Sequence, residues 1–251
     1  MGRLAALVLF FLVVAVVVLA LQAPATWVAH RVSEAIGGSM RVIEAEGTVW
    51  DGRGVLTSPD GRWKVPVAWH LKAAPLVFGE IEVELSAQPG LDTPRGTLRM
   101  SRTGFATQGL VLDLPATILE SAFAGRSPAT FGGEIRVEAR DLAVAGTQAS
   151  GAMTMRWDRA RLVAPDGTSV SLGVVTARFE PRDGALAGRI ANTGGEVAID
   201  GTMTMSRVAV GLDATLAPRT GANERVVRVL SSLGPPDANG AVHLQWLSER
   251  R

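Results

Sequence analysis

The sequence predicts a mainly β protein: a single N-terminal transmembrane helix, then a β-rich domain of antiparallel, glycine-led hairpins with two short helices. Three observations predict it. Leu4 to Leu21 is an unbroken run of eighteen apolar residues. From Trp63 onward, apolar and polar residues alternate with a period of two in segment after segment. Most of those segments open on a glycine, in a chain with 28 glycines, no cysteine and only 5% aromatic residues.

The apolar run comes first. As a helix it covers about 27 Å, close to the hydrocarbon thickness of a bilayer. Arg3 precedes it and the next formal charge is Arg31, so the N-terminus stays in the cytoplasm. Ala23-Pro24-Ala25 imitates the small-x-small site of a cleaved signal peptide. A run of eighteen, however, exceeds the usual ~7–15 residues of a signal peptide core, and the uncleaved anchor is preferred. The expected organisation is a cytoplasmic tip at 1–3, a transmembrane helix at 4–23, a helical extension at 24–38 and one β-rich exported domain at 39–251. Gly37-Gly38 stops the extension, Val28, Val32 and Ile36 form its apolar stripe, and Trp27 falls at headgroup level.

The strands follow. Trp63, Val65, Val67, Trp69 and Leu71 alternate with Lys64, Pro66, Ala68, His70 and Lys72, a one-sided strand whose Pro66 points to an edge or a bulge. After a turn at Ala73–Phe78, Ile81, Val83 and Leu85 share one face while Glu80, Glu82 and Glu84 share the other, expected to be solvated. Segments opened by Gly96, Gly133, Gly151, Gly195, Gly201 and Gly240 repeat this pattern. Apolar parity reverses between Met203-Met205 and Val208-Val210-Leu212, which calls for a turn or bulge near Ser206-Arg207. Two helices interrupt the strands: one from Pro115 to Gly125, and one from Asn223 to Gly234 with Val226, Val229, Leu230 and Leu233 as its apolar stripe.

Composition excludes whole classes of chemistry. The chain carries 25 basic and 24 acidic residues. Setting aside Arg3, the remainder balances, without the basic concentration that nucleic acid or anionic lipid requires. Absent cysteine removes disulfides, thiolate nucleophiles and cysteine metal sites. His30, His70 and His243 lie in separate elements, outside metal-ligand spacing, and the last two fall on polar strand faces. Asp158 and Asp166 read as surface or turn positions. Gly132-Gly133 and Gly194-Gly195 lead into strands, whereas a phosphate loop opens a helix, so they read as hairpin glycines. No G-x-S-x-G elbow is present. The expectation is a protein that is not an enzyme, with no catalytic, cofactor-binding or metal residues and no nucleic-acid partner.

One hexapeptide stands out: Gly47-Thr48-Val49-Trp50-Asp51-Gly52, with Trp50 expected to be a packed indole. It follows the anchor, precedes the strand around Trp69 and the Leu76-to-Gly79 turn, and is followed by Leu114-Pro115-Ala116, the strands at Gly133 and Gly151, Leu172-Gly173, the strands at Gly195 and Gly201, and Gly234-Pro235. In this order the chain resembles the N protein family of the type II (general) secretion pathway. The resemblance implies an accessory inner-membrane component with a β-rich periplasmic domain, supporting export of folded proteins across the outer membrane. It implies partners among other type II secretion components, either the inner-membrane platform or the pseudopilus. Glycine-led hairpins behind an anchor also resemble the AsmA-like envelope proteins, which would imply an apolar groove for lipid. Burial of Ile81, Ile135 and Met153 separates the two readings.

Overall fold

The computed structural model describes residues 23–26, 41–122, 129–146, 148–206, 209–219 and 224–249. The expected transmembrane helix at 4–23 therefore falls almost wholly outside the described residues, as do most of the extension at 24–38, His30, the Gly125 helix end and the Asn223 cap. Among the described residues, no helix is long and apolar enough to cross a membrane. The mainly β class is present, with thirteen strands and three short helices among the described residues. The chain divides into two compact units, one ending at Asp92 and one beginning at Thr93.

The first unit is an antiparallel meander of β1 (Arg41–Gly47), β2 (Asp51–Thr57), β3 (Lys64–Lys72) and β4 (Ile81–Ser86). The alternation read from the sequence is realised in β3, where Val65, Val67 and Trp69 are buried, preceded by buried Trp63. Pro66 pairs with Val55 on one side, but β4 reaches only as far as Ala68. Its missing N–H thus falls where no ladder needs it. The segment after β3 is a one-turn helix, α1 (Ala73–Leu76), rather than a plain turn.

The face of three glutamates needs a correction. Glu84 is exposed, but Glu82 is only 6% exposed and its Oε1 accepts from Lys72 Nζ at 2.6 Å, directly across the β3–β4 ladder. A buried carboxylate is tolerated when it is paired, and that partner lies ten residues away in sequence.

The second unit continues as a meander of β5 (Arg95–Met100), β6 (Gly104–Pro115), β7 (Thr130–Ala145), β8 (Gln148–Val163), β9 (Ser169–Arg182), β10 (Ala185–Thr193), β11 (Val197–Met205), β12 (Ala209–Pro218) and β13 (Val242–Glu249). Helix α2 (Ile118–Ala122) follows β6, and α3 (Glu224–Ser231) follows β12. The parity reversal read near Ser206 is a turn: the Ser206 N–H donates to the Ala209 carbonyl at 2.8 Å, and Ser206 Oγ accepts from the Ala209 N–H at 3.0 Å.

Several glycines do not open hairpins. Gly133 and Gly151 lie inside β7 and β8, with φ of 109° and 86°, at breaks in register. A side chain at Gly133 would place its Cβ 2.4 Å from the Asp158 carbonyl oxygen. Each faces a non-glycine residue in the left-handed region, Arg159 (φ 51°) opposite Gly133 and Asp141 (φ 46°) opposite Gly151. These are β-bulges, and each reverses the side-chain parity of its strand. Buried positions accordingly step from Ala139 to Leu142 in β7 and from Trp157 to Ala160 in β8. A sixteen-residue strand thereby keeps its apolar side on one face while it bends. The Gly194-Gly195 pair does lie in a hairpin connection, between β10 and β11.

That face carries the core, with Leu162, Val170, Ala177, Phe179 and Val197 no more than 1% exposed. Helix α3 closes one end: Val226, Val229 and Leu230 are fully buried and Leu233 packs beside them, as the stripe predicts. Arg225 fixes the helix through Ser169, at 3.3 Å, and through Glu196.

Candidate functional site

The hexapeptide at 47–52 is the tip of the β1–β2 hairpin. The Thr48 N–H donates to the Asp51 carbonyl at 2.7 Å, and Thr48 Oγ1 accepts from the Asp51 N–H at 3.0 Å, closing the turn. Threonine at 48 suits this geometry because its short polar side chain satisfies a backbone group locally. Residues 23–25 lie antiparallel to the turn as an added strap. Val49 N–H donates to the Ala23 carbonyl at 2.8 Å, Ala25 N–H donates to the Gly47 carbonyl at 3.2 Å, and Pro24 faces Thr48 between them. At the start of the 24–38 extension Pro24 is thus bridged to the turn, and Thr26 is already helical. Proline is accommodated because the strap position it fills donates no hydrogen bond to the turn.

The turn rests on Trp69. Its Nε1–H donates to the Val49 carbonyl at 3.2 Å, and a methyl group at Gly52 would lie 2.4 Å from its Cζ2. Glycine at 52 is required by this close approach of backbone to ring. Ala25 (1% exposed), Val67 and Trp69 form one buried cluster, joined by Val42, Ala45, Leu56, Val83 and Leu85. The expectation that Trp50 is the packed indole needs correction: Trp50 is half-buried, and the buried ring of the turn is Trp69.

The titratable residues weighed from the sequence are spread out. His70 is exposed and meets Asp51 Oδ1 through Nδ1 at 2.6 Å, tying the turn to β3. His243 is exposed and shares a 3.0 Å hydrogen bond with Thr215 across the β12–β13 ladder. Asp158 pairs with Arg156 at 2.9 Å, and Asp166 accepts from the Thr168 N–H at 2.8 Å in a turn. That backbone donor holds the Asp166 carboxyl below its ordinary range. Asp113 is held low chiefly by a two-pronged contact with Arg136, both distances 2.7 Å, with Thr93 adding a third hydrogen bond. Among the described residues no group of three His, Asp or Glu side chains is placed to hold a metal ion.

The sequence profile described as type II secretion system (T2SS), protein N, matches residues 39–245. The chain belongs to the type II secretion system protein N family. Neither the curated proteins nor the solved structures gave a match. The matched span takes in the hairpin tip, Trp69, both bulge glycines and α3, while the strap at 23–25 lies outside it.

In this family member two apolar surfaces remain besides the turn. On the inner face of the second unit, Met153, Met155, Met203, Met205, Leu212 and Leu244 are only half-buried, while the residues under α3 are sealed. In the first unit, Val77 and Phe78 are each 83% exposed and Ile81 is 42% exposed. The three positions chosen to separate scaffold from lipid groove therefore divide: Ile135 is buried, Met153 half-buried and Ile81 exposed. Nothing in the sequence alone flagged the exposure of Val77 and Phe78, because an apolar pair in a short connection reads equally as core.

Proposed function

We infer that this member of the secretion protein N family is an accessory component held in the inner membrane by Leu4 to Leu21, with its β units in the periplasm. It supports export of folded proteins across the outer membrane by contact with the inner-membrane platform or the pseudopilus, and it turns over no substrate. The observation that carries this reading is the family match over residues 39–245. The scatter of His70, His243, Asp158 and Asp166 over separate elements supports a role in contact rather than catalysis. The unbroken apolar run supports the anchor. The test is deletion in an organism that uses the pathway: folded exoproteins should accumulate in the periplasm while their passage across the inner membrane continues. Undiminished release into the medium would overturn the reading.

A second reading is favoured by one observation, the half-buried inner face at Met153, Met155, Met203 and Met205. Methionine-lined apolar surface adapts to irregular ligands, and an AsmA-like role in handling lipid would use it. Altered outer-membrane lipid with normal exoprotein release in the same deletion would favour this second reading over the first.

A further inference from the structure

The most exposed large apolar side chains among the described residues are Val77 and Phe78, beside Leu76 (36% exposed) and Ile81 (42% exposed). Isolated exposed apolar residues are ordinary, but four within six positions make a contiguous patch that calls for a covering phase. Their place in the first unit indicates which one. Lys72 pairs with Glu82, so the connection from Lys72 to Ile81, including α1, closes one end of the sheet. The Thr48–Asp51 turn closes the same end, because Asp51 pairs with His70 and the Leu71 N–H donates to the Trp50 carbonyl at 2.7 Å. The strap enters from this end too. It runs antiparallel to β1, and Ala23 is its residue nearest the tip, bonded to Val49.

From this we propose that Leu76, Val77, Phe78 and Ile81 form an interfacial membrane contact that dips into the headgroup layer of the bilayer holding Leu4 to Leu21. The proposal rests on the anchor reading above. The reach is short: Leu21 precedes Ala23 by two residues, which span at most about 7 Å of chain. Ala23 to Val49 and Trp50 to Leu71 are each one strand spacing, about 4.8 Å. The headgroup layer on each side of the hydrocarbon is ~5–8 Å thick, so a turn held this close to the end of an anchor lies within or against it. Apolar side chains buried at that depth are stabilised there, as they are in interfacial helices. The strap and the patch then fix the tilt of the first unit against the membrane at two points.

The chain lacks cysteine, so a single label site can be introduced without removing any native one. Full-length Val77→Cys, leaving Phe78 in place, is labelled with an environment-sensitive fluorophore in vesicles of phosphatidylethanolamine and phosphatidylglycerol that carry quencher-bearing lipids. Leu91→Cys, exposed in the loop after β4 at the opposite end of the sheet, is the control. Alkaline washing of the same vesicles reports the anchor separately. The expected result is retention of both variants in the pellet, with lipid quenching several-fold stronger at position 77 than at 91, and reduced when Phe78→Asp is added. Retention with equal, weak quenching at the two positions would overturn the membrane contact while leaving the anchor standing. Shielding of position 77 from solvent only when other secretion components are added, without lipid quenching, would also overturn it and make the patch a protein interface. Release of the chain at alkaline pH would overturn the anchor, and the contact with it.

Discussion

The two units share one strand grammar and differ in what closes them. The second unit buries much of a long apolar face, with Phe179 at 1% exposure, and closes one end of it with its own helix, whose Val226, Val229 and Leu230 are at zero exposure. The first unit has four strands, and its buried cluster is Ala25, Val67 and Trp69, with Trp63 and Val65 also buried in β3 or just before it. It also holds five of the seven exposed large hydrophobics among the described residues: Leu76, Val77, Phe78, Ile81 and Leu91. A small sheet cannot seal both ends of its apolar face, and here part of the closure comes from a strap that lies outside the meander. The larger unit is closed by a helix within its own sequence. The smaller one depends on residues adjoining the apolar run, so its order is tied to where the chain leaves that run.

This contrast is most exposed to test at Trp69. Trp69→Ala removes a buried indole together with its hydrogen bond to Val49, and the expected loss is about 3–5 kcal/mol, enough to unfold a unit of this size. Hydrogen exchange should then accelerate across β1–β4 while β8–β10 keep their protection. Acceleration in both units would show that they unfold as one. Trp50→Ala, with its half-buried ring, should cost less than Trp69→Ala in the same measurement.

The converse variant is Leu230→Ala, which opens the helix cap of the second unit. Its expected cost is about 2–5 kcal/mol, the range for emptying a buried leucine site. Exchange should rise in β9 and β12, against which α3 packs, and leave β2–β3 unchanged. An equal response in β2–β3 would contradict the independence of the two cores.

The smallest expected effect is electrostatic. Arg136 holds the Asp113 carboxyl below its ordinary value, so the folded form favours the carboxylate. The contribution of that pair is complete above the unfolded value near ~3.9 and is lost as pH falls through the lower folded value. Asp113→Asn should therefore lower the melting temperature of the second unit slightly at neutral pH, and the gap to wild type should close in strong acid. Both partners are partly solvated, which keeps the effect modest. A gap that widens with acid would give the opposite sign and refute the assignment.

What the sequence made legible follows from how local each signal is. The alternation through Trp63, Val65, Val67 and Trp69, the stripe at Val226, Val229 and Leu230, and the turn at Ser206 each depend on a few consecutive residues and a single period. The bulges at Gly133 and Gly151 were not legible, because a glycine that opens a strand and a glycine inside one look alike until register with the neighbouring strand is known. Glu82 reads as solvated because its partner Lys72 is across a ladder. The hexapeptide announced a special turn, but the ring that packs on it comes from Trp69 in another strand. Ala23-Pro24-Ala25 reads locally as a small-x-small sequence, while its pairing with Val49 and Gly47 depends on a turn more than twenty residues later. The separation of the titratable groups was legible, since His70, His243 and Asp158 fall in different segments.

The claim that this secretion protein works by contact, without turnover, is tested most directly by complementation. In a deletion strain, the triple variant His70→Ala, His243→Ala, Asp158→Ala should restore release of folded exoproteins to the wild-type level. None of these side chains is buried, so abundance and melting behaviour should be preserved. Loss of exoprotein release by the triple variant, at normal abundance and melting temperature, would contradict the account and place a functional site among those three residues.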